Sequence, residues 1–281
     1  MQKPLTFMLL ALSLQAATYD NKLEFGLKTT AYNYTERGDQ DQILDTEDSK
    51  FLEIGGFYGS YDHKFRTEAA KNSEIAYYLN FYGSYTGGET DYKGSLLGGG
   101  SSYGSYSSTT ENKFYELQVN IKRLRQYENK SSYTMLGMGY KSWERKLSSN
   151  QEETYYYYFF QVAFGGEVNI YKDWSLGLDL TGQLAYNPKM DADFSSASNQ
   201  KLNETFDLGT VYTYKIAAPL VIPINKQLSF KTKLEYEFTS YGKSNTKYVP
   251  NFPDTGNTNS YLEPKSQQKN WHLYAGFQLI F

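Results

Sequence analysis

The stretch Asn270-Trp271-His272-Leu273-Tyr274-Ala275-Gly276-Phe277-Gln278-Leu279-Ile280-Phe281 decides how the chain is read. Trp271, Leu273, Ala275, Phe277, Leu279 and Phe281 are all apolar, and the residues between them are mostly polar or small. Successive side chains of a strand point to opposite faces, so this segment is a strand with one greasy and one wet side. A strand of a soluble sandwich alternates in the same way. The number of repeats and the spacing of the breaks must separate the two.

The alternation recurs about ten times along the chain. It opens with Leu23, Phe25, Leu27 and Ala31, and continues with Phe57, Gly59, Tyr61 and Phe65. Its clearest runs set Tyr115, Leu117, Val119 and Ile121 against Glu116, Gln118, Asn120 and Lys122, and Leu176, Leu178 and Leu180 against Gly177, Asp179 and Thr181. Phe206, Leu208, Tyr212, Tyr214 and Ile216 read as the apolar face of an eighth strand. Breaks after even-numbered strands are short, while most of those after odd-numbered strands are long: residues 37–49, 87–110, 188–203 and 242–268. Such asymmetry suits a membrane barrel with short turns at one end and long loops at the other.

The terminal Phe281, with Leu273, Ala275, Phe277 and Leu279 behind it, resembles the closing strand of bacterial outer-membrane β-barrel proteins. That resemblance implies an assembly signal read by the barrel assembly machinery, and a setting of outer-membrane lipid and lipopolysaccharide. The expected fold is all-β: a transmembrane antiparallel up-and-down β-barrel of about ten strands, with eight or twelve as alternatives. An even strand count puts both termini in the periplasm and the four long loops outside the cell.

Composition agrees with this. The 281 residues include 29 Tyr, 17 Phe and 23 Gly but 7 Pro, which suits aromatic-rich strands. Mean hydropathy is -0.64, and half of each spanning strand is expected to face a polar interior. Without cysteine there is no disulfide framework and no thiolate metal site. A net charge of -3 with no basic run speaks against a nucleic-acid partner. Residues 1–16 read as a secretory signal peptide: a basic start at Lys3, an apolar run from Leu5 to Leu14, and small residues Ala16 and Ala17. The run is well short of the roughly 20 residues a spanning helix needs. Residues 17–281 then form one barrel domain. Tyr32, Tyr34 and Tyr155 to Tyr158 are expected in the aromatic girdle at the outer membrane surface.

The wet faces carry charges of both signs. Lumen-lining candidates are Glu116, Lys122, Lys141, Glu167, Asp179, Asp207, Lys215, Lys231, Lys233, Glu235, Glu237 and His272. They could line a narrow ion path, or pair with one another and fill the interior. Ten strands lie nearer the filled end of the size range than the wide porins. The length and strand count resemble the omptin proteases, whose site implies an Asp–His pair and a pair of Asp at the extracellular rim. The histidines here are His63 and His272, and neither falls at that rim or within reach of Asp191 and Asp193. No histidine metal cluster is present. The expectation is a barrel without a catalytic, cofactor or metal site, acting as a narrow channel or a scaffold; the alternative is an adhesin or binding protein working through its loops.

Overall fold

The computed structural model describes residues 21–94, 103–148, 151–193, 203–250 and 258–281, so the expected signal segment lies outside the described residues. Among the described residues there is no helix. The strands are β1 (Lys22–Ala31), β2 (Asn33–Arg37), β3 (Ile43–Asp48), β4 (Ile54–Ala70), β5 (Ser73–Gly94), β6 (Tyr106–Gln126), β7 (Lys130–Ser148) and β8 (Gln151–Tyr171). They continue with β9 (Trp174–Asp193), β10 (Asn203–Asp207), β11 (Val211–Pro223), β12 (Leu228–Tyr241), β13 (Lys247–Pro250), β14 (Thr258–Tyr261) and β15 (Lys265–Ile280).

Ten of these close a ring in the order β1-β4-β5-β6-β7-β8-β9-β11-β12-β15, every pair antiparallel. The last strand meets the first, with Leu279 opposite Leu23 and Phe277 opposite Phe25. Strands β2, β3 and β10 continue the wall at the end away from the termini, here termed the distal rim. Following direct partners once round the ring shows its stagger. The path runs Leu23, Tyr61, Phe81, Val119, Met138, Phe160, Leu184, Tyr212, Ser240, Gln267 and returns at Thr35, twelve residues further along the first wall position. A stagger of this size over ten strands tilts them roughly 40° to the barrel axis.

Burial is inverted relative to a soluble protein. Leu117 and Ile121 on β6 are 61% and 58% exposed, whereas Glu116 and Asn120 between them are 5% and 1% exposed. Leu136, Met138, Phe160, Phe164, Leu178, Leu180 and Leu184 extend the same exposed apolar belt. Such a surface suits hydrocarbon outside the ring, where closure leaves no strand edge unpaired. The fold is the expected ten-stranded transmembrane barrel.

Three expectations need correction. First, the stretches 37–49, 87–110, 188–203 and 242–268 are partly strand: β3 lies in the first, β5 reaches Gly94, β6 starts at Tyr106, β9 reaches Asp193, and β13, β14 and the start of β15 occupy the last. Of these stretches, 95–102, 194–202 and 251–257 lie outside the described residues. Beyond the lipid an outward side chain need not be apolar, so the ladder continues after its alternation fades. Secondly, Phe206 and Leu208 face inward and are buried. Asn187 adopts a left-handed φ of 51° beside the register shift that β9 makes against β8. This reverses the faces beyond it, so buried Met190 lies opposite Phe206. Thirdly, Tyr32, Tyr34, Tyr155 and Tyr157 are buried inside the ring rather than placed in an outer girdle. The positions of Tyr32 and Tyr34 share the parity of inward Lys28 and Thr30.

Candidate functional site

The lumen is built in layers, each from residues that alternate inward on different strands. At the terminal end, Lys122 Nζ donates to Asp62 Oδ2 at 3.1 Å and Lys231 Nζ to Glu24 Oε2 at 2.7 Å. Glu167 and Asp179 are half-buried at this end, with Ser175 Oγ donating to Glu167 Oε2 at 3.2 Å.

An amide chain climbs from there. Asn80 Nδ2 donates to Asp62 Oδ1 at 2.6 Å, Asn120 Nδ2 to Asn80 Oδ1 at 2.7 Å, and Gln161 Nε2 to Asn120 Oδ1. Gln183 Nε2 donates to Gln161 Oε1 at 3.1 Å and to Glu116 Oε1 at 3.3 Å. Gln118 ties in, receiving from Gln161 at 2.7 Å and donating to Glu116 at 2.6 Å. Gly137 makes room for the chain, since a Cβ there would overlap Asn120 Oδ1.

The chain ends in a central ion cluster. Lys215 Nζ lies 3.2 Å from Glu116 and 2.9 Å from Glu237, and Lys141 Nζ lies 3.3 Å from Glu237 and 3.8 Å from Glu116. Lys233 pairs with Glu235 at 3.0 Å, and Tyr274 Oη donates to Glu235 at 2.9 Å. His272 is buried, with Nδ1 bonded to Thr30 Oγ1 at 2.8 Å and Nε2 4.0 Å from Glu237. Donor atoms of Glu235, Glu237 and His272 lie within 4.8 Å of one another, close enough to share a metal ion. Their carboxylate oxygens already hold Lys141, Lys215, Lys233 and the Tyr274 hydroxyl, so a cation there must displace ammonium groups.

Above the cluster comes an aromatic layer. Trp143 stacks on Tyr155 at 4.4 Å and on Phe114 at 5.9 Å, and Tyr32 and Tyr241 pack against it. The distal rim follows, where outward neighbours such as Glu111, Glu144 and Lys146 are charged and the apolar belt has ended. Buried Arg145 sits at its centre, with Nε 2.5 Å from Glu47, Nη1 2.8 Å from Glu153 and Nη2 3.6 Å from Asp45. Its guanidinium lies over the Tyr34 ring at 4.7 Å. Tyr155 Oη donates to Glu263 at 2.6 Å, and Tyr34 Oη to Glu36 at 3.1 Å. Burial, then the neighbouring Glu153, pushes the Glu263 carboxyl up to about 8.

Glu116, Lys122, Lys141, Glu167, Asp179, Lys215, Lys231, Lys233, Glu235, Glu237 and His272 thus belong to the interior layers. Asp207 does not. Its side chain is 60% exposed and pairs with Lys189 at 3.8 Å, because it lies on β10, beyond the reversal of faces. The rim layer escapes a reading of the sequence, since Glu47 and Asp45 fall in a stretch that reads as a loop. The polar residues Thr90, Asn112 and Glu47 that meet there come from three strands.

No protein-family model matches the sequence, and no curated protein matches it. Among solved structures, the outer-membrane protease OmpT from Escherichia coli superposes with a TM-score of 0.61 at 12% identity, covering 96% of this chain and 100% of that one. The β domain of the Bordetella autotransporter BrkA (TM-score 0.37, 10% identity, 94% and 100% covered) and the outer-membrane protein AlkL (0.34, 11%, 95% and 93%) superpose too loosely to add to this. The expectation of a barrel that is no enzyme is corrected here, because the shape that fits this chain well serves a protease in OmpT. At 12% identity the likeness carries the fold and not the reaction. The chain has the fold of a ten-stranded outer-membrane β-barrel.

Proposed function

We propose that the protein sits in the outer membrane as a sealed barrel, a scaffold that carries its distal rim outside the cell. In this reading residues 1–16 direct export, residues 17–281 form the barrel, both termini lie in the periplasm, and Phe281 with Leu273, Ala275, Phe277 and Leu279 engages the barrel assembly machinery. Outer-membrane lipid and lipopolysaccharide then surround the apolar belt. The carrying observation is the layered interior: ion pairs, amides and stacked rings succeed one another along the lumen. An ion following that path would have to break contacts at each level. Charged pairs of mixed sign satisfy one another in a narrow barrel, which favours filling over conduction. The β13–β14 hairpin and the rim are the surfaces this scaffold offers to the outside.

Conductance in planar lipid bilayers tests the reading. The refolded protein is expected to give no stable unitary steps, while the triple variant Gln118→Ala, Gln161→Ala, Trp143→Ala opens a measurable path. Steady unitary conductance from the unaltered chain would make it a narrow channel instead.

A further inference from the structure

The distal rim holds more carboxyl groups than its own cation can pair. Glu36, Asp45, Glu47, Glu153 and Glu263 gather there, and Arg145 is the basic side chain paired with them. Three of these carboxylates, Glu47, Glu153 and Asp45, share the guanidinium. Glu36 faces Asp45 across the neighbouring strand. They are direct partners across β2 and β3. Burial, then the charge of Asp45 beside it, holds the Glu36 carboxyl well above the usual carboxylate range.

A second observation points to a ligand. Ser266 on β15 is the direct partner of Glu36 on its other side, so the three residues stand in a row across adjacent strands. Ser266 is 1% exposed, and its hydroxyl has no hydrogen-bond partner. The buried Oδ1 of Asp45 also has none, while Oδ2 accepts from Tyr92 Oη at 3.1 Å. A buried hydroxyl and a carboxylate oxygen without partners, beside a carboxyl pair, make a set of hard oxygen donors. Calcium and magnesium take such donors. Asp45 keeps 14% of its side-chain surface open, and the site lies beyond the apolar belt, so an ion reaches it without crossing lipid.

We propose that Glu36, Asp45 and Ser266 form a binding site for a hard divalent cation of the calcium type at the distal rim. The ion replaces the proton that burial otherwise favours on the Glu36 carboxyl. It ties β2, β3 and β15 together where β1 and β2 part at Tyr32.

Terbium luminescence on the refolded full-length chain tests this, because Tyr34 and Tyr92 contact the two carboxylates and can sensitise a bound lanthanide. The unaltered protein is expected to give saturable terbium emission that millimolar calcium suppresses. The double variant Glu36→Gln, Asp45→Asn is expected to lose at least tenfold in affinity while keeping its folded mobility on a gel. Ser266→Ala, which removes a single donor, is expected to weaken binding about threefold. Absence of calcium-sensitive emission from the unaltered protein, or unchanged emission in the double variant, overturns the site. Should the double variant not fold, Ser266→Ala decides, with unchanged affinity counting against the proposal.

Discussion

Arg145 and Glu47 meet inside the distal rim at 2.5 Å, both essentially without solvent contact and 98 residues apart in sequence. Two buried charges so placed depend on each other, since either one left alone is an uncompensated ion in a low-dielectric site. Arg145→Met is therefore expected to cost about 3–5 kcal/mol in urea unfolding. Pairing it with Glu47→Gln should recover part of the loss. A single variant as stable as the parent would show that the rim is wetter than its burial implies.

The rim also predicts a pH dependence. Glu263 lies outside the spanning segments, and its carboxyl is raised from 4.5 to about 8 by burial and by Glu153 beside it. Between those two values the folded protein binds more protons than the unfolded chain, so stability falls as pH rises from about 4.5 through about 8. Urea midpoints measured from pH 5 to 9 are expected to decline, and Glu263→Gln should flatten that decline. An equally steep profile in the variant would assign the slope to another group.

Met138 lies in the exposed apolar belt, opposite outward Val119 and Phe160. Met138→Arg places a charge against hydrocarbon and is expected to cost about 2–4 kcal/mol on refolding into lipid vesicles. Ser107→Arg, exposed near the distal end of β6, should change stability by less than about 0.5 kcal/mol. Equal effects at the two positions would argue against lipid around the belt.

Phe281 stacks on Tyr61 at 6.5 Å, and its backbone N–H donates to Asn21 O at 3.1 Å. If Phe281 serves assembly as proposed, Phe281→Ala lowers the amount of barrel in the outer membrane of cells while leaving refolding in detergent intact. Comparing heat-modifiable bands from cells and from refolding mixtures checks this. Equal loss in both would make the residue a packing element alone.

Much of the barrel is legible in the chain itself. Leu117, Val119 and Ile121 alternate with Glu116, Gln118 and Asn120 because lipid on one side and a polar lumen on the other impose a period of two. The ten wall positions, the short turns at one end and the inward His272 follow from that period. Where the lipid ends, so does the signal. The inward turn of Phe206 and the outward one of Asp207 needed the bulge at Asn187, and the strand of Glu47 and Asp45 lay in a stretch that reads as a loop. Which charges meet was also a matter for the tertiary structure. Lys141 and Glu237 stand 96 residues apart, and the barrel stagger brings their strands to one height across the lumen. Which side of each spanning strand faces lipid is written in the alternation of its own residues, because that choice is local. Closure of the ring decided the partners inside, because register and shear are properties of all ten strands together.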